Sequence, residues 1–210
     1  MPHLVLLGDS IFDNAAYVRG GPDVAAQLRA LLPPEWRVAL AAVDGAVADD
    51  VPRQLAGAPP DATHLAVATG GNNALAHASI LNRPAESSAE VLGELADARD
   101  AFEAAYHRVL DALLAPGLPL VVCTIYNGNL AQPAGRLAGV ALTVFNDVIL
   151  RAAVQRGLAV VELRLVCTEP ADYANPIEPS VAGGAKIARA VARAVGAVPP
   201  DGAGARVLAG

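Results

Sequence analysis

Residues 4–14 read LVLLGDSIFDN, an apolar run that is followed at once by Gly8, Asp9 and Ser10. A short, uninterrupted apolar run of this kind is typical of a parallel strand that is buried on both faces. Such a strand would deliver Ser10 to the surface at its carboxyl end. We therefore expect this stretch to begin a parallel sheet and to present a serine hydroxyl at one edge of it.

Five apolar runs of strand length occur along the chain, at residues 3–7, 38–42, 64–68, 120–124 and 159–162. Helical patterns separate these runs. The first helix opens at Pro22 and Asp23, and the second is capped by Ser87 or Ser88 and stops before Pro116. A third helix ends near Gly157, and the last covers residues 183–195. This alternation predicts an α/β fold, a three-layer α/β/α sandwich with a five-stranded parallel, flavodoxin-like sheet.

The 210 residues suit one domain, which we place at residues 1–195. Residues 196–210 carry Pro and Gly without apolar periodicity, so they are expected to form a loose C-terminal tail. Residues 73–87 contain a few large apolar side chains between two predicted elements. We expect them to form a short helix and loop that overhang the site and shape the substrate pocket.

Composition narrows the classes of partner. Hydrophobic residues make up 54% of the chain but aromatic residues only 4%, which disfavours a nucleic-acid stacking surface. The net charge of -6, with scattered acidic residues, opposes binding to nucleic acid or anionic membranes, and no uncharged apolar run approaches the length of a membrane span. Cys123 and Cys167 are expected to be reduced, and no targeting segment precedes the first strand, so we expect a cytoplasmic protein.

In open parallel sheets, ligands bind at the carboxyl ends of the strands. Ser10, Gly45 in AVDGAV and Asn72 in VATGGNNAL follow the first three predicted strands, and the loop ANPIEPS, residues 174–180, precedes the last helix. Taken singly, each fragment has an ordinary explanation: Ser10 as a helix cap, Gly45 as a turn residue and Asn72 in an Asx turn. Four such fragments on one rim, in this order, indicate a site.

In these four blocks the chain resembles the SGNH/GDSL family of serine hydrolases, from Leu4 to about Val195. The resemblance implies that Ser10 is the nucleophile attacking small-molecule acyl esters or related substrates. It also implies an oxyanion hole made of the Ser10 backbone N–H, the Gly45 N–H and the Asn72 side chain. It implies no cofactor.

Two departures from the family pattern concern proton transfer. Asn73 replaces an aspartate, and Asn175 and Glu178 stand where the family has the Asp and His of Asp-x-x-His. Glutamate begins about two pKa units below histidine, equivalent to about 3 kcal/mol of basicity, which burial can restore. We therefore expect an atypical catalytic triad in which the Asn175 amide donates to the Glu178 carboxylate and Glu178 serves as the base for Ser10.

Other assignments stay open at this stage. His77 follows Asn72 on the rim and is an alternative base, whereas His3, His64 and His107 are predicted to lie away from it. Asp9 and Asn73 are expected to support the site from behind. No metal is expected, because the acidic residues lack ligand spacing with His or Cys; they are Asp9, Asp13, Asp44, Asp49 and Asp50. The alternative function is a ligand-binding or regulatory protein that keeps the pocket but has lost its base.

Overall fold

The computed structural model describes residues 1–199 and contains one sheet of five parallel strands. The strands are β1 (His3–Gly8), β2 (Arg37–Leu40), β3 (His64–Ala68), β4 (Leu120–Cys123) and β5 (Ala159–Val161), in the order β2-β1-β3-β4-β5. This is the predicted flavodoxin-like order. The fold-class prediction is therefore confirmed.

Seven α-helices surround the sheet in the described part of the chain. They are α1 (Val24–Leu31), α2 (Val51–Ala56), α3 (Gly71–Leu75), α4 (Ser88–Leu114), α5 (Ala134–Gln155), α6 (Leu163–Val166) and α7 (Val181–Ala194), with 3-10 turns at Ala15–Tyr17, Ala48–Asp50, Ala78–Leu81 and Pro170–Asp172. The sequence did not predict α2, which is only six residues long and too short to show a helical period.

Side-chain caps set where the helices begin. The Asp23 carboxylate accepts the Ala26 N–H at 2.6 Å, and the Ser87 hydroxyl accepts the Glu90 N–H at 3.2 Å. Ser180 caps α7 by accepting the N–H groups of Ala182 and Gly183. Helix α7 therefore begins at Val181, two residues before its predicted start.

Strand β2 begins at Arg37 and ends at Leu40, whereas its apolar run predicts residues 38–42. The N–H groups of Ala41 and Ala42 both donate to the Leu6 carbonyl, at 2.8 and 2.9 Å. Two residues opposite one carbonyl break the regular ladder, so the strand stops earlier than its hydrophobicity suggests. The loop that carries Gly45 begins at this break.

The sheet is buried on both faces. Leu4 and Leu6 point toward the layer of α1, α6 and α7, while Val5 and Leu7 point toward α2, α4 and α5. This alternation along β1 is what a two-faced apolar strand produces, and it yields three layers. Within the described residues, α5 is the one helix with the length and composition of a membrane span, but its C-terminal half is part of this core.

The end of the described chain folds back on the core. The Ala197 N–H donates to the Ala192 carbonyl at 3.0 Å, and Ala197 and Val198 pack against the apolar layer that holds α7. The rest of the predicted tail, residues 200–210, lies outside the described residues. The tail therefore remains a prediction.

Candidate active site

Ser10 follows a sharp turn at the end of β1. Gly8 has a φ of 118°, and a Cβ at this position would lie 1.7 Å from the Ala68 carbonyl oxygen, so only glycine fits. The Asp9 N–H then donates to the same carbonyl at 3.0 Å, which fastens the turn to β3. Ser10 is 8% exposed and forms part of a pocket wall, instead of standing on the open surface as the sequence predicts.

The pocket beside Ser10 has a volume of about 190 Å³. Five of the predicted site residues line it, from three regions of the chain: Asp9, Ser10, Asn72, His77 and Glu178. Gly45 and Asn175 do not line it. The predicted meeting of the first, third and fourth blocks at the carboxyl edge of the sheet is thus what the structure shows.

Glu178 is the carboxyl group of the fourth block that lines the same pocket as Ser10. Burial raises the pKa of the Glu178 carboxyl, the charge of Asp44 raises it further, and a hydrogen bond from the Ser10 side chain opposes the shift. The Glu178 Oε2 atom is buried without a hydrogen-bond partner in the described structure. A carboxylate with one unsatisfied oxygen beside a serine hydroxyl is suited to accept its proton.

The segment that carries Glu178 is a short hairpin, residues 173–179, held by a bond across it and by two neighbouring loops. The Ala174 N–H donates to the Glu178 carbonyl at 2.8 Å, the Tyr126 hydroxyl donates to the Ile177 carbonyl at 2.6 Å, and the Asn14 amide donates to the Pro179 carbonyl at 3.2 Å. The hairpin therefore has a fixed position relative to the ends of β1 and β4.

Asn175 has partners other than the predicted one. Its side-chain oxygen accepts the backbone N–H groups of Ile177 and Glu178, each at 2.9 Å, and the side chain is exposed. The structure shows no hydrogen bond between the Asn175 amide and the Glu178 carboxylate among the described residues. Asn175 thus fixes the backbone on which Glu178 stands, because a turn at Pro176 aims the Asn175 side chain at N–H groups.

Two neutral amides join the ends of β2 and β3. Asn72 donates from Nδ2 to the Ala46 carbonyl at 2.9 Å, and the Asn73 side-chain oxygen accepts the Ala48 N–H at 3.0 Å. Nδ2 of Asn72 carries a second hydrogen, so Asn72 retains one donor. Asn73 uses only its oxygen here, a role that an aspartate would also fill.

Gly45 lies in a separate depression between β2 and α2, beside Asp44 and Gln54. Its φ is 80°, and a Cβ at this position would have nothing within 4 Å. In the described hydrogen-bond network neither the Gly45 N–H nor the Ser10 N–H has a protein acceptor. Both donors are available, but the structure places only the Ser10 donor in the wall of the Ser10 pocket.

Comparisons with known proteins place the chain in a family. The sequence profile of the GDSL-like Lipase/Acylhydrolase family matches residues 6–186. The chain belongs to this family. No match was found among curated protein sequences.

Solved structures with the same fold include esterases and lipases. An extracellular lipase from Streptomyces rimosus is 20% identical, with a TM-score of 0.71 over 92% of this chain and 100% of that one. A phospholipase A1 from Streptomyces albidoflavus NA297 is 16% identical, with a TM-score of 0.70 over 92% and 99% of the two chains. A mutant acetylxylan esterase from Geobacillus stearothermophilus is 19% identical, with a TM-score of 0.64 over 93% and 94%.

In this member of the GDSL-like family, Asp9 is a second buried carboxyl in the pocket. Burial raises its pKa to about 7, the charges of Glu178 and Asp44 raise it, and a hydrogen bond from the Ile11 N–H, at 3.1 Å, lowers it. The sequence suggested only a supporting role, because no pattern reveals how fully the Gly8 turn buries the next side chain. Asp9 and Glu178 together make this end of the pocket acidic.

Among the histidines, only His77 lines the pocket of this hydrolase, where it is exposed. His3 pairs with Asp61, and His107 contacts Arg156. His64 hydrogen bonds Thr63 at the amino end of β3. The predicted exclusion of these three agrees with the structure.

Half of the pocket lining was not predicted from the sequence. The predicted overhanging segment does contribute Leu75, Ala78 and Leu81, but the opposite wall comes from the N-terminal half of α5 and from the loop after β4, which includes Tyr126 and Asn127. An apolar helix face gives no sequence signal that tells a pocket wall from a core contact. Within residues 1–199, no group of three or more His, Cys, Asp or Glu side chains could hold a metal ion.

Proposed function

We propose that this protein hydrolyses esters or related acyl bonds through Ser10, with Glu178 as the proton acceptor. One observation carries the proposal: the buried Glu178 carboxyl, whose pKa is raised by burial, lines the same pocket as the Ser10 side chain and has one oxygen without a hydrogen-bond partner in the described structure. Family membership supplies the reaction class. The geometry supplies the pair of groups that this chain would use.

In the proposed reaction the Ser10 hydroxyl oxygen attacks the acyl carbonyl and its proton passes to Glu178. Glu178 returns the proton to the leaving alcohol as the bond between the acyl carbon and that oxygen breaks, which leaves an acyl-enzyme. Water then attacks, gives its proton to Glu178, and Ser10 regains a proton as the acid departs.

The charge that develops on the carbonyl oxygen needs donors fixed in advance. The Ser10 N–H has no protein acceptor, and the Asn72 amide keeps one N–H after its bond to the Ala46 carbonyl. We assign these two donors to the oxyanion, with the unpaired Gly45 N–H as the third. Gly45 would need its loop to approach the substrate, since it does not line the pocket in this structure.

The test joins labelling and turnover. We expect a fluorophosphonate probe to label Ser10, and the wild-type protein to cleave short p-nitrophenyl esters. Ser10→Ala and Glu178→Gln should each lower turnover at least a hundredfold, in the range that general-base catalysis contributes. Glu169→Gln, an exposed glutamate outside the pocket, is the matched control and should be silent.

Each negative result has a definite meaning. Unchanged turnover in Glu178→Gln would remove Glu178 as the base, and loss of turnover in His77→Ala would then assign the role to His77. Failure to label Ser10, together with no turnover across the ester panel, would overturn the hydrolase proposal and leave a pocket that only binds its ligand.

A further inference from the structure

The pocket beside Ser10 is divided into a polar end and an apolar end. Its polar lining side chains include Asp9, Ser10, Asn72 and Glu178, which follow strands or belong to the hairpin at the sheet edge. Its apolar lining comes mainly from the segment after α3 and from α5. A substrate whose carbonyl reaches Ser10 therefore has an apolar surface available for the rest of its acyl group.

Helix α5 faces this pocket with one continuous stripe of side chains. Its lining residues are Ala134, Leu137, Ala138, Ala141, Leu142 and Phe145, spaced three or four apart as on one face of a helix. Ala138 and Ala141 carry only a methyl group and are half-buried. They are the two places in the middle of the stripe where the wall recedes.

The exposure of the lining side chains changes along α5. Phe145 is 2% exposed, whereas Leu137 on the same helix is 48% exposed and Leu75 on the facing segment is 47% exposed. The pocket is thus closed near Phe145 and open near Leu75 and Leu137. Ala138 and Ala141 lie along α5 between these two ends.

The charges in the pocket exclude one class of ligand. The charged lining residues are Asp9 and Glu178, both acidic, and no lysine or arginine of the described chain lines the pocket. Arg83, next to the lining residue Asn82, is engaged by Glu90 and Glu94. An anionic acyl group would meet carboxylates without a compensating cation, so the pocket suits an uncharged aliphatic chain.

We infer that Ala138 and Ala141 set the longest straight acyl chain that the pocket accepts. This inference rests on the proposed function and names its substrate class: uncharged esters with an unbranched aliphatic acyl chain. Each methylene buried on the stripe should raise kcat/KM about fourfold until the cavity is filled, by the usual gain for burying such a group. A larger side chain at either alanine would occupy that space.

The experiment measures kcat/KM for p-nitrophenyl esters from acetate to dodecanoate in wild type, Ala138→Leu and Ala141→Leu. We expect the ratio of kcat/KM for the longest accepted chain to kcat/KM for acetate to fall at least about tenfold in both variants, because the added side chain fills the space of several methylenes. Ala104→Leu, on the exposed face of α4, is the control and should keep the wild-type profile. Unchanged chain-length profiles in both pocket variants would overturn the inference.

A second measurement separates this inference from the hydrolase proposal. Methyl n-alkyl ketones carry the chain and the carbonyl but no leaving group, so their binding to Ser10→Ala protein, followed by calorimetry, needs no catalysis. Binding that strengthens with chain length, and that Ala141→Leu abolishes for long ketones only, would support the inference even if no ester were cleaved. Absence of chain-length dependence would overturn it even if short esters were cleaved.

Ala141→Ser serves as a second variant in case the leucine variants do not fold, because a hydroxyl adds little volume. Its polar atom would face the methylenes of a bound chain, so it should weaken binding of long ketones more than binding of short ones. Equal effects on short and long ligands would contradict a role in chain length.

Discussion

The side chain of Gln54 forms two hydrogen bonds with a single residue, Gly8. Gln54 Oε1 accepts the Gly8 N–H at 2.7 Å, and Nε2 donates to the Gly8 carbonyl at 2.8 Å. Beyond the end of β2, the Val43 N–H donates to the Gly8 carbonyl at 3.0 Å, but no backbone carbonyl of that segment accepts the Gly8 N–H, and Gln54 supplies this acceptor. Asn146 does the same for Ile125 after β4, at 2.7 and 2.9 Å. Two amides thus hold the edge from which Ser10 projects.

We predict that Gln54→Leu will lower the free energy of unfolding by about 1–3 kcal/mol, because it leaves a buried backbone N–H without an acceptor. Turnover should also fall, since Ser10 follows Gly8 by two residues. Urea unfolding and ester turnover provide the measurements. Gln155→Leu, an exposed site at the end of α5, is the matched control and should change neither. Equal losses in both variants would contradict this role of Gln54.

Two glycines with left-handed backbone should respond differently to alanine. At Gly8 a Cβ would lie 1.7 Å from the Ala68 carbonyl oxygen, so Gly8→Ala should prevent correct folding of the β1 turn. At Gly45 a Cβ meets nothing within 4 Å, so Gly45→Ala should cost only the conformational strain of about 1–2 kcal/mol. Thermal unfolding of the two variants, side by side, tests the contrast.

Asp9 should make stability depend on pH. Its folded pKa of about 7 lies above its unfolded value, so its contribution is complete below about pH 4 and is lost as the pH rises to about 7. Asp9→Asn keeps an acceptor for the Ile11 N–H but cannot ionise. The variant should match wild type at pH 4 and exceed it at pH 8, by about 4 kcal/mol as an upper bound. Chemical unfolding at both pH values measures the difference, and parallel curves would refute it.

Turnover should rise with pH as Glu178 ionises, with a midpoint above the ordinary glutamate pKa because burial raises it. The Asp44 charge adds to that shift. Asp44→Asn should therefore move the rising limb of the pH-rate profile to lower pH. Tyr17→Phe removes the hydrogen bond from Tyr17 to Asp44, at 2.7 Å, but leaves the charge, so its limb should not move to lower pH. A limb at the same pH in both variants would argue against Glu178 as the titrating group.

Asn175 should matter through its oxygen alone. Asn175→Ala removes the acceptor for the Ile177 and Glu178 N–H groups, and we expect a loss of about 0.5–2 kcal/mol in stability, as for a helix cap, with lower kcat. Asn175→Asp keeps the acceptor and should retain most of the stability. Unfolding curves and kcat for both variants decide the point. If the aspartate variant loses as much as the alanine variant, the amide nitrogen has a role that the structure does not show.

The sequence predicted the sheet well because each strand is an apolar run bounded by turn residues, and parallel strands carry their carboxyl ends to one edge. For the same reason it brought Ser10, Asn72 and Glu178 to one rim. It could not predict that Asn175 turns its oxygen toward the backbone, since that depends on the local path at Pro176. Nor could it place α5 along the pocket, because the loop after β4 decides where that helix begins.

Uncharged amides hold the loops that would receive a substrate carbonyl, and ionisable carboxyls lie where they would receive the proton of the Ser10 hydroxyl. Asn72 and Asn73 keep their bonds to the β2 loop whatever the acidity of the solution. Asp9 and Glu178, whose pKa values are raised, lose their charges as the pH falls. Single substitutions of acidic residues can therefore change the pH dependence of this site. The loops held by Asn72 and Asn73, which would receive the substrate carbonyl, stay unchanged.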